Sequence, residues 1–259
     1  MFWQPFCNSP YLSKTLRQKY INFAASGYIL KKPNSGMTYL LPILAVLVSF
    51  LFVYLIKPKK KEGIKLLLAF SGAFLLALTV FELLPEIYEG TDQKKVGVFV
   101  MLGILLQIFL EFFSKGAEHG HMHMDSNKTE FPWLLFISLS VHSLLEGVPI
   151  GDHHSMLYAI LVHKIPIAII LSIFLIGSKM SKPSAYFFIC LFSIMTPLGT
   201  YLAANIELLS TIKSELNAVA IGVFLHISTV ILFESSEGHK FNLSKLLVII
   251  IGIIIAYFL

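Results

Sequence analysis

Long apolar runs, separated by short polar or basic segments, make up almost the whole chain. They fall near 37–56, 64–84, 96–113, 131–150, 156–176, 185–204, 216–233 and 243–259, each close to the roughly 20 residues that a membrane-crossing helix needs. The pattern predicts an all-α, polytopic integral membrane protein with about eight transmembrane helices. Residues 1–36 stand apart: they are polar, aromatic and basic, without the charged-then-apolar order of a signal peptide. They are expected to be a poorly defined tail, an over-extended start ahead of Met37, or an amphipathic surface helix. Residues 37–259 then form the transmembrane domain.

Composition agrees with the pattern. Of 259 residues, 56% are hydrophobic and 14% charged, which excludes an ordinary soluble domain. The formal charge of +5 does not signal nucleic-acid binding, because the lysines cluster between the apolar runs. Lysines there set topology. Placing the basic run Lys57–Lys61 inside also places Lys115, Lys128, Lys179, Lys182, Lys240 and Lys245 inside, leaving Lys94, Lys95 and Lys213 outside. Only Cys7 and Cys190 occur, so no disulfide framework or cysteine metal site follows.

Against this apolar background, residues 142–166 carry His142, Glu146, His163 and Lys164. A charge at the bilayer centre costs roughly 2.5–3.5 kcal/mol on insertion scales. His142 and Glu146 share a helix face by their i,i+4 spacing. His163 lies about as far beyond the polar turn Gly151–His154 as His142 lies before it. Antiparallel helices joined at that turn hold both histidines roughly 15 Å from it, near the middle of the hydrocarbon core. Two imidazoles with a carboxylate suit zinc and its transition-metal neighbours. The alternative is a set of hydrogen bonds that merely ties helices together. Pro149 and Pro166 cannot donate to the carbonyls of Leu145 and Val162, which are therefore expected to lie free beside the ligands. Lys164 is expected to neutralise Glu146 when no metal is bound, or else to snorkel toward an interface.

Other polar groups invite weaker readings. His119, His121 and His123, with Glu118 and Asp125, form a short histidine tract on the inner side near 114–130, able to capture metal or simply to stay solvated. Asp152, His153 and His154 could attract cations outside or form a plain turn. Glu82 and Glu86, with Glu207, could line an entrance, and His226 lies mid-span in the seventh run. For Glu111 and Glu234 a solvated helix end suffices. Thr196-Pro197-Leu198-Gly199 is expected to interrupt or kink the sixth run.

Together these residues resemble a known family. His142-Ser143-Leu144-Leu145-Glu146-Gly147 resembles the fourth-helix HSxxEG signature of the ZIP (Zrt/Irt-like) metal transporters. His163-Lys164-Ile165-Pro166 resembles the fifth-helix motif of the branch carrying HK there. Leu83-Leu84-Pro85-Glu86, the Thr196–Gly199 stretch, Gly222 onward and the histidine tract add weaker matches, so that the likeness spans residues 37–259. It implies an eight-helix carrier moving divalent transition metals, chiefly zinc, toward the cytoplasm, with His142, Glu146 and His163 as metal ligands. Where two-metal members carry an asparagine and fifth-helix carboxylates, Ser143, Lys164 and Ile167 stand here. One bound ion is then expected, with Lys164 in place of the second.

The expected function is therefore secondary transport of zinc, or of Fe2+, Mn2+ or Cd2+, by alternating access in the plasma or cytoplasmic membrane. No catalytic cofactor and no enzyme activity are expected; the chain has no phosphate-binding GxxxxGK[ST] loop. The metal ion and membrane lipid are the expected partners, nucleic acid is not, and a homodimer stays open. Two alternatives are a membrane redox protein with haem between His142 and His163, and an intramembrane metalloprotease. The latter expects HExxH, whereas the order here is HxxxE.

Overall fold

The computed structural model describes residues 35–58, 61–89, 92–114, 131–151, 154–234 and 243–259. Among these, the apolar runs become helices: α1 (Ser35–Ile56), α2 (Lys61–Leu78), α3 (Gln93–Ser114), α4 (Trp133–Gly147), α5 (His154–Gly177), α6 (Lys182–Asn205), α7 (Lys213–Glu234) and α8 (Leu243–Phe258). Seven of the described helical stretches are long and apolar enough to cross a membrane; Leu243–Phe258 is shorter, at 16 residues. The fold is all-α and polytopic, as the hydrophobic pattern predicts. Apolar side chains such as Val48, Leu55, Leu105, Phe112 and Ile254 point outward from α1, α3 and α8. Such a surface suits hydrocarbon rather than water.

Two groups of helices emerge from the packing. In one, α1 packs on α5 and α6, and α4 packs on α6; in the other, α7 packs on α3 and α2, and α8 on α2. The groups meet where α2 lies against α5, and α3 and α7 against α4. Small residues permit the tightest approaches. A Cβ on Gly199 would collide with the Leu144 carbonyl of α4, and one on Gly147 with the Thr196 carbonyl of α6. Gly103 and Gly222 do the same for α3 and α7. Buried hydroxyls return their hydrogen to their own helix: Ser172 to Ala168, Ser228 to Phe224 and Thr79 to Leu75.

Three local features differ from the sequence reading. Pro149 lies just past the end of α4, in a short 3-10 turn, Pro149–Gly151. The Leu145 carbonyl is not free, since it accepts the Val148 N–H at 3.2 Å; the tightened last turn takes up the acceptor that proline leaves. Nor is the sixth run interrupted at Thr196–Gly199: α6 continues through Pro197, and Gly199 serves close packing against α4. The second run extends further than expected, through a π-turn at Thr79–Leu83 into the helical end Leu84–Tyr88. There the Leu84 N–H reaches Thr79, and the wider turn leads into Pro85, which has no N–H to give.

Candidate metal site

The ionisable residues of α4 and α5 lie between two apolar clusters. Along α4, Leu135 and Leu139 belong to one cluster and Ile150, just past the helix, to the other. Along α5 the order reverses, with Leu157 and Ile160 before the site and Ala168 and Leu171 after it. His142, Glu146, His163 and Lys164 occupy the layer between, at 3%, 1%, 1% and 2% exposure.

One α4 turn brings Nε2 of His142 to 2.9 Å from Oε1 of Glu146. From α5, Nε2 of His163 approaches the same oxygen at 3.8 Å. The two imidazole rings stand nearly perpendicular, with centroids 6.4 Å apart. One ligating atom from each of the three residues lies within 4.8 Å of the others. Two nitrogens and a carboxylate oxygen in a water-poor layer can replace part of the hydration shell of a divalent transition metal.

The second carboxylate oxygen faces a different set of groups. Nζ of Lys164 lies 2.6 Å from Oε2 of Glu146 and donates to Ser143 Oγ at 3.1 Å. Its ammonium also stands 5.0 Å from the centre of the Phe192 ring on α6, within cation–π range. Thr196 Oγ1 reaches Oε2 at 3.5 Å, and Thr200 donates to the Gly147 carbonyl at 2.7 Å. Thus α6 supports the site that α4 and α5 supply. Thr196 and Phe192 carried no chemical signal in the sequence; the only hint was the Thr196–Gly199 stretch, read there as a break. Ile167 is buried in an apolar cluster with Leu68, Val223, Ile227 and Ile231.

The weaker candidates disperse. Glu82 accepts a hydrogen bond from Ser155 at the start of α5, joining α2 to α5. Glu86 is exposed beyond it. His226 lies 3.0 Å from Glu111 across the α3–α7 contact, so Glu111 has a partner on a neighbouring helix and is more than a solvated end. Neither residue joins the α4–α5 cluster. His119, His121, His123, Asp152 and His153 lie outside the described residues, as does the His154 side chain.

A family model described as ZIP Zinc transporter matches residues 118–259, which include α4 to α8 and therefore every residue of the cluster. The chain belongs to the ZIP zinc transporter family. Among curated proteins similar to this ZIP member, "Protein zntD" of Dictyostelium discoideum is 31% identical over 150 residues, covering 49% of this chain and 22% of that protein. "Zinc transporter ZIP1" of Danio rerio is 31% identical over 146 residues, covering 51% of this chain and 46% of the relative. "Zinc transporter ZIP1" of Homo sapiens is 24% identical over 248 residues, 74% of this chain and 76% of the relative. The chain spans less than half the length of the first two of these relatives.

Proposed function

We propose that this ZIP-family chain is a secondary carrier of divalent transition-metal ions, zinc foremost, and that His142, Glu146 and His163 hold the ion midway across the membrane. The observation that carries the reading is the convergence of three ligand-type side chains from two helices at one buried depth. Helix–helix cross-linking alone would not call for two imidazoles turned toward one carboxylate oxygen. The names of the ZIP1 relatives favour zinc among the metals that this ligand set accommodates.

The ion is partly dehydrated on reaching the site and sheds Lys164 as the near partner of Glu146. When it leaves, Lys164 restores charge balance in the dry layer, so the carboxylate never stands alone. Inward release follows from movement of the α1, α4, α5 and α6 group against the α2, α3, α7 and α8 group, an alternating-access cycle that the division of packing supports. In this scheme the loop after α3, with its histidine tract, faces the cytoplasm of a cell whose plasma membrane holds the protein. The haem alternative has no comparable support, because the Glu146 carboxylate lies between the two imidazoles, where a porphyrin would need open space.

The test is zinc uptake by vesicles holding the purified chain. Saturable uptake is expected in the unsubstituted protein, and its loss in both His142→Ala and Glu146→Ala at equal protein content. Normal uptake in either variant refutes the site.

A further inference from the structure

Two buried polar groups lack a hydrogen-bond partner among the described residues where α3 meets α4. Gln107 on α3 is fully buried, and neither its carbonyl oxygen nor its amide nitrogen is paired. On α4 the same holds for Nδ1 of His142, whose other ring nitrogen faces Glu146. Buried polar groups are rarely left unpaired in folded proteins.

Packing places these two groups at one height. Ser138 on α4 donates to the Leu110 carbonyl on α3 at 2.6 Å, which sets those residues level. One turn further toward the site, Gln107 follows on α3 and His142 on α4, in consecutive and hence opposed spans. Helical rise then leaves them within about 2 Å of the same depth. The i,i+4 spacing of Ser138 and His142 continues the face of α4 that touches α3, and the i,i+3 spacing of Leu110 and Gln107 continues the receiving face. One turn before Gln107 on the same buried face, Gly103 packs closely against Gly222 of α7.

We infer that Gln107 is a positioning residue of the metal site: its side-chain carbonyl accepts the Nδ1–H of His142, directly or through one water, and holds Nε2 toward the ion. The inference rests on the transport reading above. An imidazole that binds a cation through Nε2 carries its proton on Nδ1, and an acceptor there fixes both tautomer and ring orientation. Among the described residues no group is paired with that nitrogen, and Gln107 brings an unpaired acceptor to its level.

Zinc uptake by reconstituted full-length protein tests the assignment with Gln107→Met, which keeps length but removes both polar atoms, and Gln107→Glu, which keeps an acceptor. The Met variant is expected to raise KM about 10–100-fold with little change in maximal rate, and the Glu variant to stay within about threefold of the original. A purely structural glutamine would change melting or abundance and leave KM alone; that outcome overturns the inference. A second readout needs no variant. In zinc-loaded protein with ¹⁵N-labelled histidine, Nδ1 of His142 should carry the proton and Nε2 the metal, and the reverse assignment overturns the inference too. Absence of saturable uptake in the unsubstituted protein would instead defeat the transport reading itself, so the two failures are distinguishable.

Discussion

The ammonium of Lys164 lies 2.6 Å from Oε2 of Glu146, with both side chains 2% exposed. A lysine beside a candidate cation site is at first sight a contradiction, since it repels the ion. The geometry resolves it, because Lys164 engages one carboxylate oxygen and the imidazoles approach the other. Removing one partner of such a buried pair leaves an uncompensated charge, at a cost of about 3–5 kcal/mol.

Lys164→Met should therefore destabilise the metal-free protein far more than the zinc-loaded one. Thermal melting in detergent, with chelator and with excess zinc, checks this. The gap between the two melting temperatures should widen clearly in the variant. An unchanged gap means that Lys164 does not balance Glu146.

Acid should weaken transport. Imidazole nitrogens must be unprotonated to bind a metal, so protons compete with the ion at His142 and His163. The KM for zinc should rise as the medium is made more acidic. A KM that falls instead would mean that protonation assists binding.

Gly147 and Gly199 let α4 and α6 touch backbone to backbone. Gly199→Ala pushes a methyl group into the Leu144 carbonyl, and overpacking of this kind costs about 1–3 kcal/mol. The melting temperature should drop, and uptake with it, because Thr196 and Phe192 on α6 move away from Glu146 and Lys164. Gly177→Ala has nothing within 4 Å of the new methyl and should be silent in both assays. Equal behaviour of the two variants would contradict the packing argument.

His226 and Glu111 join α3 to α7 away from the metal-site residues. His226→Leu is expected to lower thermal stability modestly, by about 0.5–1.5 kcal/mol for a lost hydrogen bond, while the KM for zinc stays unchanged. A large rise in KM would return His226 to the ion pathway.

Much of this arrangement was legible in the residues themselves. Apolar runs near 20 residues announce spanning helices because the bilayer fixes their length, and the HxxxE spacing puts His142 and Glu146 on one face whatever else the chain does. His163 could be placed at their depth by counting outward from the Gly151–His154 turn. Side chains that matter only through tertiary contact were not legible. Thr196 and Phe192 look like ordinary members of an apolar helix until α6 packs on α4. Gln107 gives no sign that it will be buried level with His142. Pro149 predicts a free Leu145 carbonyl, but the tightened last turn of α4 occupies it, and the stretch around Pro197 predicts an interruption where α6 is continuous. Proline removes a donor in every case; whether the backbone bends depends on where the helix would have ended anyway.

The central claim is that one ion sits between His142, Glu146 and His163. Equilibrium zinc binding tests it most directly, on purified protein whose loop histidines His119, His121 and His123 are changed to alanine, compared with the same protein carrying Glu146→Ala. One zinc per chain is expected in the first and none at comparable affinity in the second. Retention of a tightly bound zinc after loss of Glu146 would contradict the account.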